Sequence, residues 1–198
     1  TKAMEQALRL YNGKAMINSV SGKESSMSQI FPLVKKYGGA VVALTLDDDG
    51  IPKTAEGRVA IAEKILKRAA EYGIDKKDII FDTLAMTVSA EPGAAIETLR
   101  ALDIIKNRLG CHTSLGVSNV SFGLPERAAI NSTFFACALE RGLSTAIMNP
   151  YSTDMMKAYH SFKALHNMDE NCGEYIAFTE GLPAQSAQQP SASPATPS

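Results

Sequence analysis

AVVALTLD, Ala40 to Asp47, is the stretch that decides the fold. It is a near-continuous apolar run ending on a carboxylate. Such runs suit parallel strands buried on both faces. On its N-terminal side, SSMSQIFPLVKKYG (Ser25 to Gly38) places Met27, Ile30, Phe31 and Val34 on one helical face. Before that helix, AMINSVS (Ala15 to Ser21) reads as another strand. On the C-terminal side a helix is predicted from about Glu56 to Tyr72. Its apolar positions are Val59, Ile61, Ile65, Leu66 and Ala69, and Gly73 follows as the cap. The alternation continues. DIIFDTLAM (Asp78 to Met86) reads as a strand, followed by a helix carrying Ile96, Leu99, Leu102, Ile105 and Leu109 up to Gly110. TSLGVSNV (Thr113 to Val120) leads to a helix through Ala128 to Arg141, stopped by Gly142. STAIMNP (Ser144 to Pro150) is the fifth strand, and a last helix with a short tail piece reaches about Phe178.

Strands alternating with helices at intervals of roughly 30 residues imply βαβ units and a parallel sheet. Two architectures then compete, an open doubly wound sheet and a closed barrel. Polar residues mark the expected C-terminal end of every strand: Asn18, Asp47, Asp82, Asn119 and Asn149. In an open sheet the polar site concentrates at a switch point. In a barrel all strand ends share one mouth. The pattern favours an incomplete (β/α)8 TIM barrel with about strands 4 to 8 present. The sequence TKAMEQALRLYNG opens without an initial Met and reads as mid-helix, so the expectation is an N-terminal truncation with the first strands upstream. The barrel portion is assigned to residues 1–179. Residues 180–198 contain GLPAQSAQQPSASPATPS, with four prolines among Ala, Ser and Gln, and are expected to form a disordered linker or tail.

Lys plus Arg is 20 and Asp plus Glu is 21. This balance points to no nucleic acid and no membrane as partner. No apolar run approaches the roughly 20 residues that span a bilayer. Three widely spaced cysteines, Cys111, Cys137 and Cys172, suit a reducing, cytoplasmic setting rather than a disulfide framework. His112, His160 and His166 lack zinc-ligand spacing relative to them, so no metal site is expected. DDDG (Asp47 to Gly50) has partial EF-hand spacing, but Thr45 stands at the first ligand position and a strand precedes it. It reads as a polar turn. SGKES (Ser21 to Ser25) lacks the earlier glycine and the following hydroxyl of a P-loop.

Four separate stretches carry a family resemblance: MINSVSGKE (Met16 to Glu24), DTLAMTVS (Asp82 to Ser89), GVSNVSFGLPERAAINSTFF (Gly116 to Phe135) and MDENCGEYI (Met168 to Ile176). They resemble, in the right order, the pterin-binding domain of the methyltetrahydrofolate:corrinoid methyltransferase family, especially its methionine-synthase-like members. The third stretch is the most specific. The resemblance implies a methyltransferase whose folate substrate is 5-methyltetrahydrofolate. The methyl acceptor is cobalamin, carried by another domain or a corrinoid protein. It implies pterin-binding roles for Asn18, Asp82, Asn119 and Arg127, with Asn119 as the catalytic group near N5. Ser118, Met148 and Asn149 are further candidates to line the mouth.

A carboxylate can accept two parallel hydrogen bonds from the donor-rich pyrimidine edge of a pterin, which suits Asp82. An asparagine offers both donor and acceptor, which suits Asn18. A cation is disfavoured at a helix N-terminus, so Arg127 is expected to meet an anion, the folate tail or Asp82. The family's other pterin-binding carboxylate lies on the third strand, upstream of this chain. Methionine synthesis from homocysteine is the preferred setting, because of the MDENCGEYI stretch and the linker-like segment after it. The alternatives are a methyltetrahydrofolate:corrinoid protein methyltransferase, a dihydropteroate synthase, and a non-catalytic barrel fragment.

Overall fold

The structure, a computed structural model, describes residues 1–182. The linker expected over residues 180–198 therefore lies, from residue 183 on, outside the described residues. A short helix, α1 (Lys2–Leu10), precedes the repeating units. These are β1 (Met16–Ser21), α2 (Glu24–Tyr37), β2 (Ala40–Leu44), α3 (Ala55–Glu71), β3 (Ile79–Asp82), α4 (Ala94–Asp103), β4 (His112–Gly116), α5 (Arg127–Glu140), β5 (Thr145–Ile147) and α6 (Thr153–Leu165). A last helix, α7 (Gly173–Glu180), follows. Local chemistry accounts for the ends. Thr54 caps α3 by accepting the Gly57 N–H at 3.2 Å. Gly38 ends α2 in the left-handed region at φ 65°, with its N–H on the Val34 carbonyl at 2.9 Å.

The five strands are parallel and lie side by side in chain order, β1-β2-β3-β4-β5. A doubly wound sheet reverses its order at a switch point, whereas a barrel runs in sequence around its axis. The molecule is a partial TIM barrel, with β1 and β5 as its two edges. Period-two alternation divides the strands between two faces. Ile17, Val20, Val41, Ala43, Ile79 and Phe81 pack into a core with α2 and α3, while Leu115 joins a second core with α5 and α6. The opposite, inner face carries Asn18, Val42, Ile80 and His112 at one level. Leu44, Asp82, Ser114 and Thr145 form the next level, toward the C-terminal ends.

The ordered strands are shorter than the apolar runs. The third covers Ile79–Asp82 rather than reaching Met86, and the fourth stops at Gly116 rather than Val120. Residues Val117–Ser121 instead coil into a 3₁₀ turn. Beyond each strand the backbone bonds to neighbouring loops and leaves the ladder, which residue hydrophobicity alone does not signal. Ile96, placed on the apolar face of its helix by spacing, is 63% exposed; α4 buries Ala94, Thr98, Ala101 and Leu102. That helix then widens into a π turn over Ile104–Arg108, with Leu109 N–H on the Ile104 carbonyl at 3.2 Å. The segment after β5 forms two α-helices, α6 and α7, rather than one helix and a tail piece. Buried Asp169 accepts the N–H groups of Glu174 and Tyr175, both at 2.9 Å, and His160 of α6 stacks on Phe178 of α7. The DDDG segment is a tight turn, with Asp47 and Gly50 bonded to each other through their backbones. Among the described residues, no helix is long and apolar enough to cross a membrane.

Phe81 is fully buried between the sheet and its helices. Phe81→Ala should destabilise the fold by about 3–5 kcal/mol, the transfer and cavity cost of a buried aromatic. The check is a lowered urea midpoint with an unchanged denaturant slope.

Candidate functional site

Because Ile79 and Phe81 face the helices, Asp82 must face the inside at the last position of β3. Its residue is only 7% exposed, and burial raises its carboxyl to about pH 6. The Leu84 N–H, 2.8 Å from Oδ1, acts in the opposite direction. Among the described residues, the other carboxylate oxygen has no hydrogen-bond donor. The backbone carbonyl of Asp82 accepts both the N–H and the hydroxyl of buried Thr45, each at 3.1 Å, which ties the end of β3 to the end of β2.

The loop after Asp82 is held from beneath by Arg58, a residue that sequence reading missed. Leu84 has φ 62°, a costly conformation for a leucine that needs external support. Arg58 is 1% exposed. Its Nη1 donates to the carbonyls of Thr83 (2.8 Å) and Leu84 (3.2 Å) and to Thr98 Oγ1 (2.7 Å). Its Nε donates to the Pro52 carbonyl (3.0 Å). Thr98 adds a hydroxyl donation to the Leu84 carbonyl at 3.1 Å. The signal was present in the spacing: Arg58, Ala62, Ile65 and Ala69 fall on one helical stripe, and all four are buried.

Asn119 lies on the 3₁₀ turn after β4, and its side chain is exposed with no hydrogen-bond partner among the described residues. Two sets of bonds fix that turn. From α5, Arg127 donates through Nη2 to the Ser118 carbonyl (2.8 Å) and through Nε to Ser121 Oγ (2.9 Å). Ser121 in turn donates to Asn131 Oδ1 at 2.7 Å, and the guanidinium lies over the Phe122 ring. From the Asp82 loop, Thr87 Oγ1 and Ser89 Oγ donate to the Phe122 carbonyl at 2.8 and 3.0 Å. Val88 N–H donates to the Val120 carbonyl at 3.0 Å. The loops bearing Asp82 and Asn119 are therefore stitched together.

The structure gathers some of the sequence-predicted residues and separates others. Ser118, Arg127, Met148 and Asn149 line one cavity of about 290 Å³, together with Asn131 and Ser152. Asp82, at the end of β3, and Asn119, on the turn after the neighbouring β4, are not among its lining residues. Asn18 lies inside β1, one inner-face level below Asp82, rather than at the strand's end. Asp82 is not the anion facing Arg127: no carboxylate lies within ion-pair distance of this guanidinium among the described residues. Among the same residues, no group of three or more His, Cys, Asp or Glu side chains gathers as a metal-holding cluster.

The arrangement can present one buried acceptor, one exposed amide and a polar cavity to a flat, hydrogen-bonding ligand. The raised carboxyl of Asp82 has a thermodynamic consequence. An acid whose native value exceeds its unfolded value stabilises the fold at low pH and loses that contribution as pH rises through about 6. Asp82→Asn should therefore be more stable than the parent at about pH 8, by up to about 3 kcal/mol. The gain should shrink toward about pH 4, as read from urea unfolding across that range.

The family model described as "Pterin binding enzyme" matches residues 1–149. The chain is 36% identical over 162 residues to the methionine synthase of Mycobacterium tuberculosis, which covers 75% of this chain and 14% of that protein. It is 32% identical over 170 residues to the methylcorrinoid:tetrahydrofolate methyltransferase of Eubacterium limosum, covering 84% of this chain and 63% of that protein. The chain thus spans a small part of the first relative and under two thirds of the second. Among solved structures, a dihydropteroate synthase from Clostridium difficile, determined in the presence of pteroic acid, shares the fold. Its TM-score is 0.63 at 20% identity, over 83% of this chain and 64% of that one. With a matched segment running from α1 through β5 and the strand-end residues Asp82 and Asn119 inside it, the chain belongs to the pterin binding enzyme family.

Proposed function

We propose that this chain binds 5-methyltetrahydrofolate at the C-terminal rim of its strands and transfers the N5 methyl group to cob(I)alamin, as part of methionine synthesis from homocysteine. The observation that carries this reading is the buried carboxylate of Asp82, with one oxygen lacking a donor, beside a turn that offers a free asparagine amide. A pterin's exocyclic amine and adjacent ring N–H supply the donors that Asp82 lacks. Exchange of water for two fixed donors favours its charged form, so binding draws its carboxyl back down. Asn18, one level deeper on β1, offers a mixed donor and acceptor to the same ring system.

The chemistry is a displacement at the methyl carbon. The carbon–N5 bond breaks, the electron pair stays on N5, and N5 takes up a proton. A neutral tertiary amine releases methyl poorly, so a donor whose hydrogen bond to N5 strengthens as the bond breaks lowers the barrier. Among the described residues the exposed Asn119 carboxamide makes no hydrogen bond, so it can turn its N–H₂ toward N5 by giving up only water. Arg127 contributes to pterin binding by holding the turn, and Ser118, Met148 and Asn149 line the adjoining cavity. Cobalamin, held by a separate domain or a corrinoid protein, supplies the reduced cobalt that accepts the methyl group.

A second reading, methyl exchange with a free-standing corrinoid protein, draws on the Eubacterium limosum relative, to which this chain aligns over the larger share of both sequences. The higher identity to methionine synthase favours the first. Asn119→Ala should lower turnover of methyltetrahydrofolate with cob(I)alamin by about 10²–10³-fold, the range for removing one transition-state donor. The folate dissociation constant should rise by less than about tenfold. The assay uses the natural polypeptide that carries this chain; equal turnover in variant and parent sinks the role given to Asn119.

A further inference from the structure

Among the described residues Asn119 makes no side-chain hydrogen bond, and the place of its carboxamide is marked by a contact instead. That contact is with the residue that ends β4. An ideal Cβ built on Gly116 would lie 2.9 Å from Asn119 Nδ2 and 3.7 Å from its Cγ, whereas ordinary contact begins at 3.4 Å. The carboxamide is thus folded back over the bare α-carbon of Gly116. The backbone does not demand glycine there. With φ −77° and ψ 80°, Gly116 occupies a conformation open to any L residue. Nor does the strand need it for packing, since Asn119 supplies both atoms within 4 Å of the added carbon. What the missing side chain provides is a seat for the amide.

The seat is useful only if the turn above it keeps its height. Ser121 is the pivot of that support. It is fully buried, accepts from Arg127 Nε at 2.9 Å, and donates to Asn131 Oδ1 at 2.7 Å. Loss of its hydroxyl would release Asn131 from the turn and leave Arg127 holding it through the Ser118 carbonyl alone.

We infer that Gly116 and Ser121 are positioning residues for methyl transfer. Gly116 leaves the space in which the Asn119 carboxamide rests, and Ser121 fixes the turn that carries it at that distance. The inference rests on the methyl-transfer reading of Asn119 and adds to it two residues that act through Asn119 and its turn. A methyl at position 116 must push the end of a flexible side chain by about 0.5 Å, which costs the fold little and misaligns the donor.

The test is a pair of double-mutant cycles in the natural polypeptide, scored by methyl transfer from methyltetrahydrofolate to free cob(I)alamin and by folate binding. Gly116→Ala and Ser121→Ala should each lower kcat by about tenfold or more, with the folate dissociation constant within about threefold of the parent. In an Asn119→Ala background each should lower kcat by less than about twofold, because the group they position is gone. A purely structural role predicts the reverse, an equal loss in both backgrounds, and that result overturns the inference. So does a Gly116→Ala protein with parent kcat beside a slow Asn119→Ala protein, and this outcome leaves the functional reading intact. An Asn119→Ala protein as fast as the parent removes the functional reading and the inference with it. If Gly116→Ala fails to fold, its conformational argument is wrong, and the Ser121 cycle decides the remaining half by the same criterion.

Discussion

The alternation of side chains along β3 is the constraint on which the rest depends. Ile79 and Phe81 are fully buried against the helical layer, and their burial is worth several kcal/mol that no other register would recover. That commitment forces Asp82 to the inner face, at the rim where parallel strands end. Water is largely excluded there, and the carboxyl is held near pH 6. The energetically expensive feature of the site is thus a by-product of favourable packing in the strand that carries it.

An expensive carboxylate is useful only if it stays where it is. The loop that follows it cannot relax, because a buried arginine occupies the carbonyls of Thr83 and Leu84 and keeps Leu84 in the left-handed region. The same loop then bonds to the turn after β4 through Thr87, Val88 and Ser89. Arg127 and Ser121 hold that turn from the other side. Donors and acceptors that a loop would normally direct to water are directed to each other, so the rim groups would need little reorganisation to bind the proposed ligand. The two arginines do comparable work: each binds backbone carbonyls, and among the described residues neither is neutralised by a carboxylate within ion-pair distance.

The outer surface of β5 is less completely covered. An apolar cavity of about 400 Å³ opens there, lined by Phe135 and Leu139 of α5, Ala146 and Met148 near the strand, and Met156 and Tyr159 of α6. Ile147 on the inner side of the same strand is half exposed, as is Met16 on β1 at the opposite edge. Both edges of the sheet therefore combine unpaired backbone with apolar side chains, the combination that invites pairing with another strand.

Much of the architecture was legible in the sequence. The apolar run of Ala40 to Leu44, the helical spacing of Met27 to Val34 and the recurrence of polar residues after each strand specify a parallel sheet with one polar rim. These signals are local and periodic, so a linear text carries them. Tertiary structure decided where each strand stops, because the ladder ends when a neighbour's loop offers better bonds, as Thr45 does to Asp82. It moved Asn119 off the strand and onto a 3₁₀ turn, and it placed Asn18 below the rim. It turned Arg58 from one more charged helix residue into the support of the Asp82 loop, and it made Gly116 a seat. Each of those roles is a relation between residues distant in sequence or folded back upon one another. By itself the sequence determined which residues could serve; only the packing of one loop against the next decided what they hold.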